Sequence, residues 1–156
     1  MNTIDFLVLN LKETRRRSIT VWQTISVDKL NWKPDEKAMT CLEMVRHVLE
    51  SEYYYYLAIE NRGSVKDFHS PFEKRPYISI EDELDFADSY HKQFLRSVRS
   101  FSNEDLAAIK IDRSDVGYVR SLGDMLMRIA YHEAVHTGQL LDYLRTMEVE
   151  RPNIWD

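Results

Sequence analysis

Residues 121–147 read SLGDMLMRIAYHEAVHTGQLLDYLRTM, and this stretch decides the fold. Met125, Ile129, His132, His136, Leu140, Tyr143 and Met147 fall on one narrow arc when the segment is wound at 3.6 residues per turn. Ser121, with Asp124 three positions on, supplies the start signal of an amphipathic helix. Within that arc His132 and His136 stand four apart, so their side chains lie one above the other, with Cβ atoms about 5–6 Å apart. Two imidazoles so placed can turn nitrogens onto one ion. The alternative is a pair of core histidines that share a face. Burying an imidazole without a partner costs about 1–3 kcal/mol, so two together call for a shared explanation.

Three further segments carry helical periodicity. The first spans about 3–26, with Ile4, Leu7, Leu11, Ile19, Trp22 and Ile25 on an irregular stripe. The second spans about 40–61 and opens with the capping box Thr40–Glu43. The third spans about 79–101, with Ser79 and Asp82 at its start. Ser102 to Ala108 adds a short helix. No stretch alternates with period two for long enough to define a strand, although Ile109, Ile111 and Val116 suit a short extended connector. Pro34, Pro71, Pro76 and Pro152 all fall between periodic segments, where a missing amide proton does no harm. The expectation is an all-α four-helix bundle with long connectors, formed as a single domain over residues 1–156.

Composition narrows the function classes. The net charge of −5 argues against a nucleic-acid backbone as partner. The basic run Arg15–Arg16–Arg17 reads as a solvated helix face. One cysteine, Cys41, excludes an internal disulfide and suits a reducing compartment; near a helix start it reads as a small buried hydrophobe. No apolar run approaches the ~18 residues needed to cross a membrane, and no basic segment with an apolar h-region opens the chain. These features predict a cytoplasmic protein.

A stable metal site needs a third ligand. His47, inside the second helix beside Met44, Val48, Tyr55 and Ala58, is the best candidate. His91 lies in a polar run and is expected at the surface, and His69 sits in a proline-flanked loop. Glu50 and Tyr54, at i+3 and i+7 from His47, are candidates to reach a substrate. Gln139, one turn beyond His136, is another, with helix packing the competing role. The Tyr53–Tyr56 run should serve mainly packing or an interface. Gly138 costs about 1 kcal/mol against Ala in a helix interior, which suggests close approach of another helix, from this chain or a second subunit.

His132, the block His136-Thr137-Gly138-Gln139, His47 and Trp32-Lys33-Pro34 together resemble the DinB family of bacterial metal-binding bundles, which is unrelated to the DNA polymerase of the same name. The resemblance spans nearly the whole chain. It implies a four-helix bundle in which His47, His132 and His136 bind a divalent ion. Zinc or nickel fits best, with iron and manganese also compatible with imidazole. Three neutral imidazoles leave the ion its double charge and an open position, which suits water activation or thiolate binding. The resemblance further implies a metal-dependent enzyme acting on a small molecule. Relatives include transferases using bacillithiol or mycothiol as a thiol cosubstrate, and proteins assigned hydrolase-like roles; a homodimer is expected. The competing reading is a stress-associated bundle that binds metal without turnover. His132-Glu133-x-x-His136 also satisfies the zincin pattern, with Glu133 as general base. A zincin needs a further ligand downstream and a sheet edge; only 20 residues follow His136. Glu133 stands about 60° from His136 on the wheel, at the flank of the apolar arc, where it suits a carboxylate orienting a ligand or a surface salt bridge.

Overall fold

A computed structural model describes residues 1–155. Four long helices form the frame: α1 (Thr3–Trp22), α2 (Cys41–Glu60), α3 (Ile80–Ser100) and α5 (Leu122–Thr146), with the single turn α4 at Asp105–Ala108. Each long helix flanks two others, in the order α1, α5, α2, α3 and back to α1. The starts follow the cap chemistry of the sequence. Thr40 and Glu43 close a capping box on α2, and the hydroxyls of Ser79 and Ser121 accept from the amides of Asp82 and Asp124.

Two parts of the fold depart from a purely helical reading. Strands β1 (Lys110–Arg113) and β2 (Tyr118–Ser121) pair antiparallel between α4 and α5. Four residues are too few for alternation to register. Closure depends on Gly117 at φ 94°, a left-handed position that glycine adopts without a Cβ clash. Ile111 is buried in β1, whereas Val116 lies exposed in the turn. The second departure is α1, which stops at Trp22 instead of Ser26. Its last carbonyls are satisfied by the amides of the following turn, and Ile25 remains in the core as part of that turn.

The core divides into two apolar clusters stacked along the bundle. One gathers Leu7, Leu11, Tyr56, Ile59, Phe94 and Ile129 with Ile111 of the hairpin. The other gathers Val21, Trp22, Val45, Leu49, Phe72 and Leu140. Between them all four helices contribute polar side chains at one level: Arg15, Ser18, Glu52, His91, Glu133 and Thr137. Cys41 is fully buried, and burial pushes its thiol up to about 11, so it is an apolar filler at neutral pH. The loop between α1 and α2 is pinned to α5, since Trp32 packs edge-on against Tyr143 at 5.2 Å and the Tyr143 hydroxyl donates to the Met39 carbonyl. No helix among the described residues is long and apolar enough to cross a membrane.

Candidate metal centre

His47 is placed by α2, and His132 and His136 by successive turns of α5, the helix packed beside it. The Nε2 atom of His132 lies 3.2 Å from that of His47 and 3.2 Å from that of His136. One ring nitrogen of each residue falls within 4.8 Å of the others. Ligands at about 2.05 Å from a tetrahedral ion stand roughly 3.3 Å apart, so the two short separations match a ligand cage. Hydrogen bonding accounts for less, because converging imidazole nitrogens cannot all find donors in one another.

The protonation pattern favours lone pairs at the centre. Gln139 Oε1 lies 2.6 Å from His136 Nδ1 and accepts its proton, which leaves Nε2 of His136 bare and aimed inward. Burial pushes His132 down to about 4, and the imidazoles of His136 and His47 and the Arg128 guanidinium push the same way. His47 is also lowered, by burial first and then by His136, with Glu50 opposing. Both rings are therefore neutral at pH 7. All three histidines are half-buried, at the edge of the bundle and not in its apolar centre, which leaves room for a ligand from solvent.

Several expected roles change. Glu133 is neither a general base facing the centre nor a surface group. Its carboxylate is buried and takes two hydrogen bonds from Arg15, at 2.8 and 3.0 Å. Arg15 also donates to Glu52, so the first member of the basic run is buried in an ion-pair layer while Arg16 stays solvated. Burial alone would raise Glu52, but Arg15 and His91 overcome it and hold the carboxyl below its usual range. His91 is accordingly not a surface residue: it is partly buried, with Nδ1 2.9 Å from Glu52. A helix wheel built on local sequence misses such partners because they arrive from other helices. His69 is exposed in its loop.

Gln139 serves His136, so its amide oxygen is not free for a substrate. The Tyr54 hydroxyl accepts from Arg113 at 3.0 Å, which makes it part of the hairpin's anchorage. Glu50 lines a cavity of about 350 Å³ with Arg46, Phe68 and Tyr77, and is near enough to His47 to influence it. Close approach of another helix of this chain does not explain Gly138, since a Cβ there would find nothing within 4 Å among the described residues; it faces a cavity shared with Thr14 and Ser18 of α1. Two neighbours of the centre have roles there that the sequence reading does not assign. Tyr55 packs edge-on to His132, and Arg128 lies one turn before it, donating to the Tyr55 hydroxyl. The four-residue spacing from Arg128 to His132 was a readable signal for the second.

The chain belongs to the DinB superfamily, whose sequence profile matches residues 10–140. It is similar to the uncharacterized protein YjoA of Bacillus subtilis (strain 168), with 27% identity over 126 residues, 80% of this chain and 78% of that protein. The crystal structure of YjoA, a DinB-like protein, superposes with a TM-score of 0.72 at 24% identity, covering 95% of this chain and 96% of that one. A DinB-like protein of Bacillus cereus ATCC 10987 gives a TM-score of 0.68 at 16% identity, covering 92% and 91%. At these identities the two structures establish the shared fold.

Proposed function

We propose that the protein is a divalent-metal-dependent enzyme acting on a small molecule, with His47, His132 and His136 as the metal ligands. The observation that carries this reading is the convergence of three imidazole nitrogens, within 4.8 Å of one another, from two helices. Zinc or nickel suits the donor set best, and iron and manganese also accept imidazole. A bound cation would act as a Lewis acid, lowering the pKa of a coordinated water or thiol. Around it the chain's own residues divide the remaining work. Gln139 holds the His136 tautomer, and burial keeps His132 unprotonated. Tyr55 packs against the His132 ring, and Glu50, whose charge reaches His47, lines a cavity with Arg46, Phe68 and Tyr77. Transfer to or from a low-molecular-weight thiol is the reaction class proposed first, with hydrolysis second.

The test is a metal-loaded protein offered an electrophile with and without a low-molecular-weight thiol, compared with His136→Ala. Metal-dependent conjugation that disappears in the variant supports a transferase. Thiol-independent cleavage of an activated ester or amide supports a hydrolase. Metal uptake without either reaction makes the protein a binding bundle and removes the enzymatic reading. Peptidase activity is disfavoured by the Arg15 grip on Glu133.

We also propose a homodimer in the cytoplasm. Met127, Tyr131 and Val135 recur every four residues on α5 as exposed apolar side chains, with Tyr131 71% exposed. Phe6 and Leu9 are exposed on the adjacent α1. Such a concentration of apolar surface is characteristic of an interface.

A further inference from the structure

Three guanidinium groups gather around two phenol rings on one flank of the three-histidine centre. Arg128 lies 5.5 Å from the centre of the Tyr55 ring and 5.6 Å from that of Tyr118. Arg113 reaches the same two rings at 5.8 and 5.3 Å, and Arg120 lies over Tyr118 at 5.0 Å. Carboxylates are few there. Asp124 pairs with Arg120 at 2.7 Å and its charge also reaches Arg128, whereas among the described residues Arg113 donates only to the hydroxyls of Ser64, Tyr54 and Tyr118. Arg128 has no ion pair among the described residues, one hydrogen bond to Tyr55 at 3.3 Å, and a buried Nε without a partner.

This is an unusual place for surplus positive charge in a chain with a net charge of −5. A guanidinium offers five donors, and a carboxylate takes two of them along one edge. Although its Nε is shielded from solvent, Arg128 is only partly buried, and apart from the bond to Tyr55 its guanidinium donors have no protein partner among the described residues. Its charge is felt by His132, one helical turn away. A divalent cation on three neutral ligands would add to the same local excess, so the site as a whole calls for an anion.

We propose that Arg128, backed by the charge of Arg113, anchors a carboxylate of the small molecule whose reacting atom meets the centre formed by His47, His132 and His136. This rests on the metal-dependent reading above and adds a substrate class to it. Tyr55 is the positioning residue: its hydroxyl orients Arg128 while its ring edge abuts His132.

The test uses cobalt-loaded protein, in which thiolate binding is read from the charge-transfer absorption. 3-Mercaptopropionate and its neutral amide differ only in the anionic group and are titrated into the wild type, Arg128→Gln and Arg128→Lys. The expected result is about a tenfold or greater preference for the carboxylate in the wild type. That preference falls below about threefold in Arg128→Gln and is intermediate in Arg128→Lys, which keeps the charge and loses the fork. Affinity for the amide and cobalt uptake stay at wild-type levels, which shows that the variants fold. Equal affinities for the two thiols in the wild type, or an undiminished preference in Arg128→Gln, overturn the anchor and leave the metal centre standing. Failure of the wild type to take up cobalt overturns the metal centre, and the anchor with it.

Discussion

Gln139 decides which nitrogen of His136 faces the cage, and that single hydrogen bond has a measurable consequence. Removing the group that orients a ligand imidazole typically weakens metal binding 10–100-fold. Gln139→Ala is therefore expected to raise the zinc dissociation constant by about that factor in calorimetric titration, and an unchanged constant would remove its proposed role. His47→Ala and His132→Ala should each weaken retention more than Gln139→Ala, whereas His91→Ala, which touches Glu52, should leave metal content intact. Protons compete for the same lone pairs. With His132 lowered from 6.5 to about 4 and His47 lowered as well, the unfolded chain binds protons in this window that the folded chain refuses. Metal-free protein should thus lose stability as pH falls from about 6.5 toward 4. Urea midpoints at pH 7.5 and pH 5 measure this. The drop should be smaller in His132→Asn, and an equal drop in both proteins contradicts the assignment. The histidine pair was readable from sequence because helical spacing alone brings its members together. The duties of Gln139 and Arg128 were not, because they depend on rotamers and on rings supplied by α2.

At the level of elements, the layer of Arg15, Glu52, His91 and Glu133 ties all four long helices together between two apolar clusters. A buried ion pair offsets its desolvation only while both partners are present, and deleting one typically costs about 3–5 kcal/mol. Glu133→Ala should lower unfolding free energy by about that amount. Arg15→Met/Glu52→Gln/Glu133→Leu, which removes all three charges that Arg15 joins, should recover much of the loss. A Glu133→Ala protein as stable as wild type would mean that the pair contributes nothing to cohesion. The helices themselves were legible, since their caps at Thr40, Ser79 and Ser121 and their 3.6-residue stripes are local properties. The hairpin was hidden because its strands are four residues long and its stability comes from outside. Ile111 inserts into the helical core, and Arg113 ties β1 to Tyr54 of α2. Arg15 looked solvated for a related reason: its acidic partners lie 37 and 118 positions away.

For the molecule as a whole, the frame of two helix pairs holds His47 of α2 against His132 and His136 of α5, and so the three-histidine cluster depends on the bundle being assembled. The exposed apolar row Met127, Tyr131 and Val135 on the outer side of α5 gives the assembly a second expectation. Wild-type protein should sediment as a dimer and Tyr131→Glu as a monomer or with dissociation weakened at least tenfold; a monomeric wild type would contradict it. The overall bundle and the histidine trio were readable because helix period, cap chemistry and the family resemblance all pointed the same way. How the ligand face opens to solvent was not, because it depends on long loops whose paths periodicity does not encode. The most direct measurement is X-ray absorption spectroscopy on protein loaded with one equivalent of zinc. The account predicts three imidazole nitrogens at about 2.0–2.1 Å, falling to two in His47→Ala. Zinc bound with no more than one imidazole, or a spectrum unchanged in His47→Ala, would contradict it.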